Sequence, residues 1–375
     1  MNRLRGRINP IRLPETPVRL IALASAAALL VACSSDSQKA GDGAKGTVAS
    51  SGSVDLTGAG ATFPYPLYSK WFADYATRTG VKINYQSIGS GGGIRQLSEQ
   101  TVDFGASDSP MKDDELAKAK GGPILHFPMV LGAVALIYNL PELKQPLKLD
   151  GATLADIYLG TIKKWNDGRI ASLNAGVALP NADILVVHRS DGSGTSFIFT
   201  DYLSSVSPAW RGGPGTGKEV QWPTGLGAKG NEGVAGQVRQ TVGAIGYAEL
   251  AYAKQNNIAT ATLKNAAGEF VAPSVASATA AAAAAAAALP ANTDYRVSIV
   301  NAKGAGAYPI ASFTWILAYQ NQPDAAKGKK LVDFLTWALT DAQPQASTLD
   351  YAPIPAAMSK QLVERLKSIK VGATS

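Results

Sequence analysis

Three glycine-rich turns in the chain read as cradles for an anion. They are Gly58-Ala-Gly-Ala-Thr62-Phe63-Pro64, Gly89-Ser90-Gly-Gly-Gly-Ile94 and Arg189-Ser-Asp191-Gly192-Ser193-Gly194-Thr195-Ser196. Each lies just before a predicted helix. A helix start leaves backbone N–H groups without intrahelical partners, and the helix dipole adds partial positive charge there. Glycine lets the backbone come close and take positive φ. Thr62, Ser90, Ser193 and Thr195 add hydroxyls. Taken alone, each turn reads equally well as a plain N-capping turn. Three of them, two in the first part of the chain and one further on, can converge on a single anion.

Two charged residues stand beside these turns. Arg189 offers a planar fork that matches oxyanion geometry. Asp108 ends the predicted strand in Asp103-Phe-Gly-Ala-Ser-Asp108. A carboxylate next to an anion makes sense when the anion carries a proton to donate. Phosphate near neutral pH is HPO₄²⁻ or H₂PO₄⁻, whereas sulfate has no proton. An Asp acceptor holds the first and opposes the second with an unpaired buried charge. Asp108 also reads as a capping or surface carboxylate, and Asp191 either orients the Arg189 guanidinium or is a turn residue.

The elements that must position these groups follow from the apolar pattern. Val54–Thr57, Val81–Tyr85 and Val102–Ala106 read as strands. Tyr65–Thr77 reads as a helix with Leu67, Tyr68, Trp71, Phe72 and Tyr75 on one face, and Ile94–Gln100 as a second, short one. Strand and helix alternate, which implies an α/β layer with parallel pairing. Further on, Leu154–Leu159, Ile162–Trp165, Ser196–Leu203, Gly233–Arg239 and Lys330–Leu339 read as helices, and Ile184–Val187 and Ala244–Tyr247 as strands. The alanine-rich tract at 279–287 reads as a surface helix, since alanine is the best helix former but specifies no packing. Phe127–Tyr138 and Tyr308–Tyr319 are long apolar crossings. A chain that leaves one lobe and later returns makes two lobes with a cleft between them. The predicted division is 54–130 and 308–375 for one lobe and 131–307 for the other.

The N-terminus reads as an address. Arg3, Arg5, Arg7, Arg12 and Arg19 precede an apolar stretch of about a dozen residues, too short for a membrane span of roughly 20. The stretch ends in Leu30-Val31-Ala32-Cys33, which resembles the lipobox of bacterial lipoproteins and contains the only cysteine of the chain. Residues 1–32 are therefore expected to be a cleaved signal peptide and Cys33 a lipidation site. Residues 33–53, rich in Ser, Gly, Ala, Asp and Lys, are expected to be a flexible tether.

Composition closes off other classes. The 375 residues are 46% hydrophobic, enough for real cores. The formal charge of +7 drops to about +3 without the leader, and no basic run is interleaved with aromatics, so nucleic acid is not an expected partner. One cysteine excludes disulfides and a cysteine-based zinc site. His126 and His188, the only histidines, sit in apolar runs and read as core or strand-end residues. Gly212-Gly-Pro-Gly-Thr-Gly217-Lys218 looks briefly like a P-loop, but Glu219 stands at the Ser/Thr position. Gly192-Ser193-Gly194 does not complete Gly-x-Ser-x-Gly. Neither a metal cluster nor a partnered nucleophile suggests a phosphatase. No cofactor, no metal and no enzymatic activity are expected.

The motifs resemble the PstS family of periplasmic phosphate-binding proteins, which serve high-affinity phosphate ABC importers. The resemblance runs from about Val54 to the C-terminal region. It is carried by Thr57-Gly-Ala-Gly-Ala-Thr-Phe-Pro64, Val102-Asp-Phe-Gly-Ala-Ser-Asp108, Ile157-Tyr-Leu-Gly-Thr-Ile-Lys-Lys-Trp165 and Asp191-Gly-Ser-Gly-Thr-Ser196, with Ala244-Ile-Gly-Tyr247 and Leu349-Asp-Tyr351. It implies an α/β, two-lobed periplasmic binding protein of type II (Venus-flytrap), with a hinge of crossing strands, closing over inorganic phosphate. It implies that Thr62, Phe63 and Ser90 donate from one lobe, that Asp108 accepts the phosphate proton, and that Arg189, Ser193, Gly194 and Thr195 complete the shell from the other. It further implies a monomer held to a bacterial membrane by the lipid at Cys33, in the periplasm or on the cell surface, which delivers phosphate to the permease subunits. The other reading is a binding protein for a different tetrahedral oxyanion. The sequence departs from the family at Gly91, where some relatives have a second serine, and at His188, where some have a second arginine. The alanine-rich tract matches no family pattern.

Overall fold

The computed structural model of the chain describes residues 55–286 and 294–372. The leader, Cys33, the tether and the end of the alanine-rich tract lie outside the described residues. The chain begins β1 (Leu56–Gly60), α1 (Tyr65–Thr79), β2 (Ile83–Ser87), α2 (Ser90–Ser98), β3 (Phe104–Ser107). Then come α3 (Asp113–Ala117), β4 (Ile124–Tyr138), β5 (Lys148–Leu149), α4 (Gly151–Tyr158) and α5 (Gly168–Leu173). A second alternating stretch follows: β6 (Leu185–Arg189), α6 (Gly194–Val206), α7 (Pro208–Gly212), β7 (Leu226–Ala228), α8 (Gly230–Gln240), β8 (Ala244–Glu249), α9 (Leu250–Gln255). After β9 (Ala259–Thr260), β10 (Thr262–Lys264), β11 (Phe270–Val271) and α10 (Val275–Ala286), the chain returns through β12 (Ala311–Tyr319) and β13 (Asn321–Gln322). It finishes with α11 (Ala325–Leu339), α12 (Gln343–Ala346), β14 (Ala352–Pro353), α13 (Ala356–Leu366) and β15 (Lys370–Val371).

One sheet runs through the described residues in the order β2-β1-β3-β12-β4-β8-β6-β7, with β9 and β14 also on β4. β1 pairs in parallel with β2 and β3, and β6 with β7 and β8. β4 is antiparallel to both of its long neighbours: Ile124–Ala133 pairs with β12, and Val134–Tyr138 with β8. A single strand thus carries the sheet from one half to the other. β4 is buried at every position but Leu125, and β12 at all nine, which is why both read as unbroken apolar runs.

The register explains where a site can form. Ser107 at the end of β3 lies across from Trp315, and Trp315 across from Pro128 of β4. On the other side Glu249, the end of β8, lies across from Val134. The two sets of parallel strands therefore aim their carboxyl ends at the middle of β4 from opposite directions. The turns after β1, β2, β3 and β6 all open at those ends, the place where open α/β sheets bind ligands.

Local physics accounts for the helices. In α1, Leu67, Tyr68, Trp71, Phe72 and Tyr75 are all buried, and Gly80 at φ 76° ends the helix. Phe72 packs on Tyr85, Phe104 and Phe334, joining α1 to β2, β3 and α11.

One expectation is corrected and one refined. Ile162–Trp165 is not helical. Gly160 at φ 75° follows the end of α4, and the next residues pair with a distant segment: Ile184 N donates to Lys163 O at 2.8 Å and Trp165 N to Ala182 O at 3.0 Å. The buried Trp165 indole also donates to Gly243 O at 3.0 Å. The apolar spacing at 162 and 165 mimicked a helix, but long-range pairing took the backbone. The alanine-rich tract does form a helix, α10, exposed on one side at Ala276, Thr279 and Ala283 as a surface helix is, but packed on the other. Ala278, Ala281 and Ala282 are buried, and the helix packs on β4, β12 and β14. Methyl side chains let it approach the sheet closely, and a uniform sequence hides which face does so.

Candidate functional site

Thr62 and Phe63 sit at the entry to α1, which has no side-chain N-cap. Ser90 opens α2, preceded by Gly89 at φ 86° and also without a side-chain cap. Both helix starts therefore keep backbone donors for something else. On the other half, Arg189 ends β6 and Ser193 caps α6, its hydroxyl accepting from Ser196 N at 3.0 Å. Thr62, Phe63, Ser90, Asp108, Arg189, Ser193 and Thr195 are each no more than 3% exposed.

These residues meet. A Cβ on Gly194 would lie 2.4 Å from Ser90 Oγ and 2.7 Å from Asp108 N, so α6 of one half starts against the Ser90 and Asp108 turns of the other. Gly91 N donates to Gly192 O at 2.8 Å across the same gap. Asp108 N donates to Ser90 Oγ at 3.1 Å, and Ser90 Oγ is 3.5 Å from Asp108 Oδ2. The structure thus brings all eight sequence-predicted residues into one cluster.

Arg189 is clamped. Its Nε donates to Asp191 Oδ1 at 2.7 Å and its Nη2 to Asp191 Oδ2 at 2.5 Å, while Nη1 reaches Thr195 Oγ1 at 3.3 Å. Asp191 therefore orients the guanidinium. Burial would raise the Asp191 carboxyl, but hydrogen bonds and charge from Arg189 outweigh it and hold it below the usual range. Asp108 behaves oppositely. Burial pushes it up to about 7, against the pull of hydrogen bonds from Thr314 and Ser90 and the Arg189 charge. Thr314 Oγ1 donates to Asp108 Oδ1 at 2.8 Å and fixes that oxygen, leaving Oδ2 on the Ser90 side.

The structure adds residues that the sequence reading missed. Asn231, at the start of α8 and fully buried, bridges Thr62 and Thr195. Tyr252 OH donates to Thr62 O at 2.6 Å and Tyr351 OH to Phe63 O at 2.6 Å. Tyr247 OH accepts from Arg189 N at 3.1 Å and lies 2.6 Å from Ser196 Oγ. Tyr247 and Tyr351 lie inside quoted motifs without an assigned role. A further glycine-flanked helix start, Gly230-Asn231, was the available signal for Asn231.

Other sequence features fall elsewhere. His188 stacks on Trp222 with ring centroids 4.8 Å apart, and burial lowers its pKa. Next to Arg189 on a strand, it points to the opposite face. His126 is a buried histidine, accepting from Met111 N at Nε2 and 2.7 Å from Asp294 Oδ2 at Nδ1. Lys218, the lysine of the P-loop look-alike, binds Glu115 at 2.5 Å.

The arrangement offers hydroxyls, helix-start amides and one guanidinium as donors, with one buried carboxyl as acceptor. Such a set of groups suits an oxyanion that brings a proton.

Comparison with known proteins agrees. The profile of the PBP superfamily domain matches residues 42–342. The chain is 49% identical over 311 residues to the phosphate-binding protein PstS of Xylella fastidiosa (strain Temecula1), covering 83% of this chain and 84% of that protein. It is 48% identical over 314 residues to the phosphate-binding protein PstS of Haemophilus influenzae, covering 83% and 92%. Among solved structures, a phosphate binding protein from Stenotrophomonas maltophilia aligns with a TM-score of 0.66 at 23% identity, over 83% of this chain and 94% of that one; the likeness is one of fold.

Proposed function

This chain belongs to the PstS phosphate-binding protein family, and from that premise we propose that it captures inorganic phosphate between the halves of its sheet and delivers it to the membrane permease of an ABC phosphate importer. The observation that carries this reading is the pairing of Arg189 with a buried acceptor, Asp108, in one cluster of donors. Phosphate oxygens receive hydrogen bonds from the hydroxyls of Thr62, Ser90, Ser193 and Thr195, from the amides of Phe63, Gly194 and Thr195, and from Arg189. The P–OH proton goes to Asp108. A fully deprotonated oxyanion would leave the Asp108 charge unanswered, which disfavours the wider tetrahedral-oxyanion reading. Capture is non-covalent and the protein is not an enzyme.

In this reading 54–130 with 308–375, and 131–307, are the two lobes, and they part around β4 and β12 to admit phosphate. The protein works as a monomer. Isothermal titration is expected to give tight 1:1 phosphate binding and little sulfate binding. Equal affinity for the two anions would remove the role given to Asp108.

In this reading the leader is removed and acyl chains on Cys33 hold the protein to a bacterial membrane, in the periplasm or on the cell surface. Among the described residues no helix is long and apolar enough to cross a membrane. Two or more acyl chains hold a protein firmly at a bilayer where one does not. Cys33→Ala is expected to release the protein into the soluble fraction after cell breakage; continued sedimentation with membranes would exclude the lipid anchor.

A further inference from the structure

The hydroxyls of Thr62 and Thr195 share a constraint. A threonine hydroxyl has one proton to give and two lone pairs with which to accept. At Thr62 both lone pairs are engaged: Asn231 N donates to Oγ1 at 3.1 Å and Asn231 Nδ2 at 2.7 Å. At Thr195 the same Nδ2 donates at 3.1 Å and Arg189 Nη1 at 3.3 Å. All of these donors are N–H groups, with nothing to accept in return. The two hydroxyl protons must therefore point away from them.

The direction of the Asn231 amide is itself fixed. Glu249 N donates to Asn231 Oδ1 at 2.8 Å, which puts the carbonyl oxygen on the β8 side and the NH₂ on the threonine side. Asn231 is fully buried, so water does not compete for these bonds. Thr62 belongs to the β1 turn and Thr195 to α6, on opposite halves of the sheet.

We propose that Asn231 is a positioning residue for anion capture: by filling the acceptor side of Thr62 and Thr195 together, it commits both hydroxyls to donate to the ligand, and it does so only when the two halves meet. This rests on the assignment of phosphate to the site. The ligand then meets hydroxyl protons from both halves at once, and Asp108 is left to receive the proton of the ligand. Without Asn231 each hydroxyl regains a free lone pair and can turn its proton aside.

The test is a double-mutant cycle read by phosphate titration calorimetry, with thermal melting of each ligand-free variant. Asn231→Ala is expected to weaken phosphate binding by about 10- to 100-fold, the worth of one or two hydrogen bonds. In a Thr62→Val/Thr195→Val background the same change is expected to cost less than about 2-fold, because nothing is left to orient. Asn231→Asp keeps the shape but accepts from the two hydroxyls in place of donating. It is expected to weaken binding more than Asn231→Ala does in the native background, and the extra loss is expected to shrink when the threonines are valines. It carries the test if the alanine variant does not fold. Equal costs of the Asn231 changes in both backgrounds, or a cost below about 2-fold in the native one, would overturn the proposal and leave Asn231 a packing residue. A native protein that binds no phosphate would instead overturn the functional assignment.

Discussion

Arg189→Ala is expected to reduce phosphate affinity by about 1,000-fold or more, measured by titration calorimetry. Two effects act in the same direction. The guanidinium is the charged donor of the cluster, and it is 3% exposed, so its interactions are little screened by solvent. Its removal also strands Asp191, a carboxylate now held by two guanidinium bonds and by Gly230 N at 3.1 Å. That orphaned charge would face the incoming anion and repel it. The stranding can be separated: adding Asp191→Asn to Arg189→Ala is expected to recover part of the loss. Arg189→Lys keeps the charge without the fork and is expected to fall between native and alanine. An alanine variant within 10-fold of native affinity would mean that phosphate is held elsewhere.

Asp108→Asn is expected to leave the fold intact and to cut the preference for phosphate over sulfate by at least about 100-fold. An amide in this place can keep the Thr314 bond at its oxygen and present NH₂ to the ligand. It then donates to any oxyanion and loses its capacity to demand a proton. The native protein should show the same trend with pH. With its carboxyl raised to about 7 by burial, Asp108 is ionised above that pH and turns sulfate away. As the pH falls through 7 it gains a proton that it can donate, so sulfate binding is expected to strengthen, and this pH dependence should vanish in Asp108→Asn. Stability of the ligand-free protein falls with rising pH as well. A buried carboxyl whose pKa is raised on folding favours the folded state fully at pH below its unfolded value near 4, and that contribution is lost as pH rises through 7. The ligand-free native protein should therefore lose melting temperature over that window, and the Asn variant less so. A flat sulfate response in the native protein would exclude Asp108 as the discriminating group.

What the sequence revealed follows the range of the interactions involved. α1 was legible because its five buried apolar residues recur at helical spacing and Gly80 stops it. β4 and β12 were legible because burial on both faces leaves no polar positions. The three glycine-rich turns were legible because glycine, hydroxyl and helix start are local signals. Thr314 was not: it is one hydroxyl in an apolar strand, and only the β3–β12 register sets it beside Asp108, 206 residues away. Asn231 depends in the same way on α8 meeting turns from both halves. Asp191 was ambiguous between a turn residue and an orienting one, and side-chain geometry decides for the second. Ile162–Trp165 misled because spacing of two apolar residues carries no information about a strand partner 20 residues later.

The handover within β4 has a mechanical consequence. β12 takes residues up to Ala133 and β8 takes those from Val134 onward, so the two ladders abut without overlapping. Across the seam Val134 N donates to Ile310 O at 2.8 Å, just before β12, and the Tyr308 hydroxyl donates to Val134 O at 3.1 Å. The two halves are tied further by polar contacts between their turns: Thr62–Asn231 beside the seam, and Gly91–Gly192 and Glu115–Lys218 beyond it. Such contacts, some buried and some at the edge, are the places where a single substitution would loosen or tighten the molecule while the sheet stays whole.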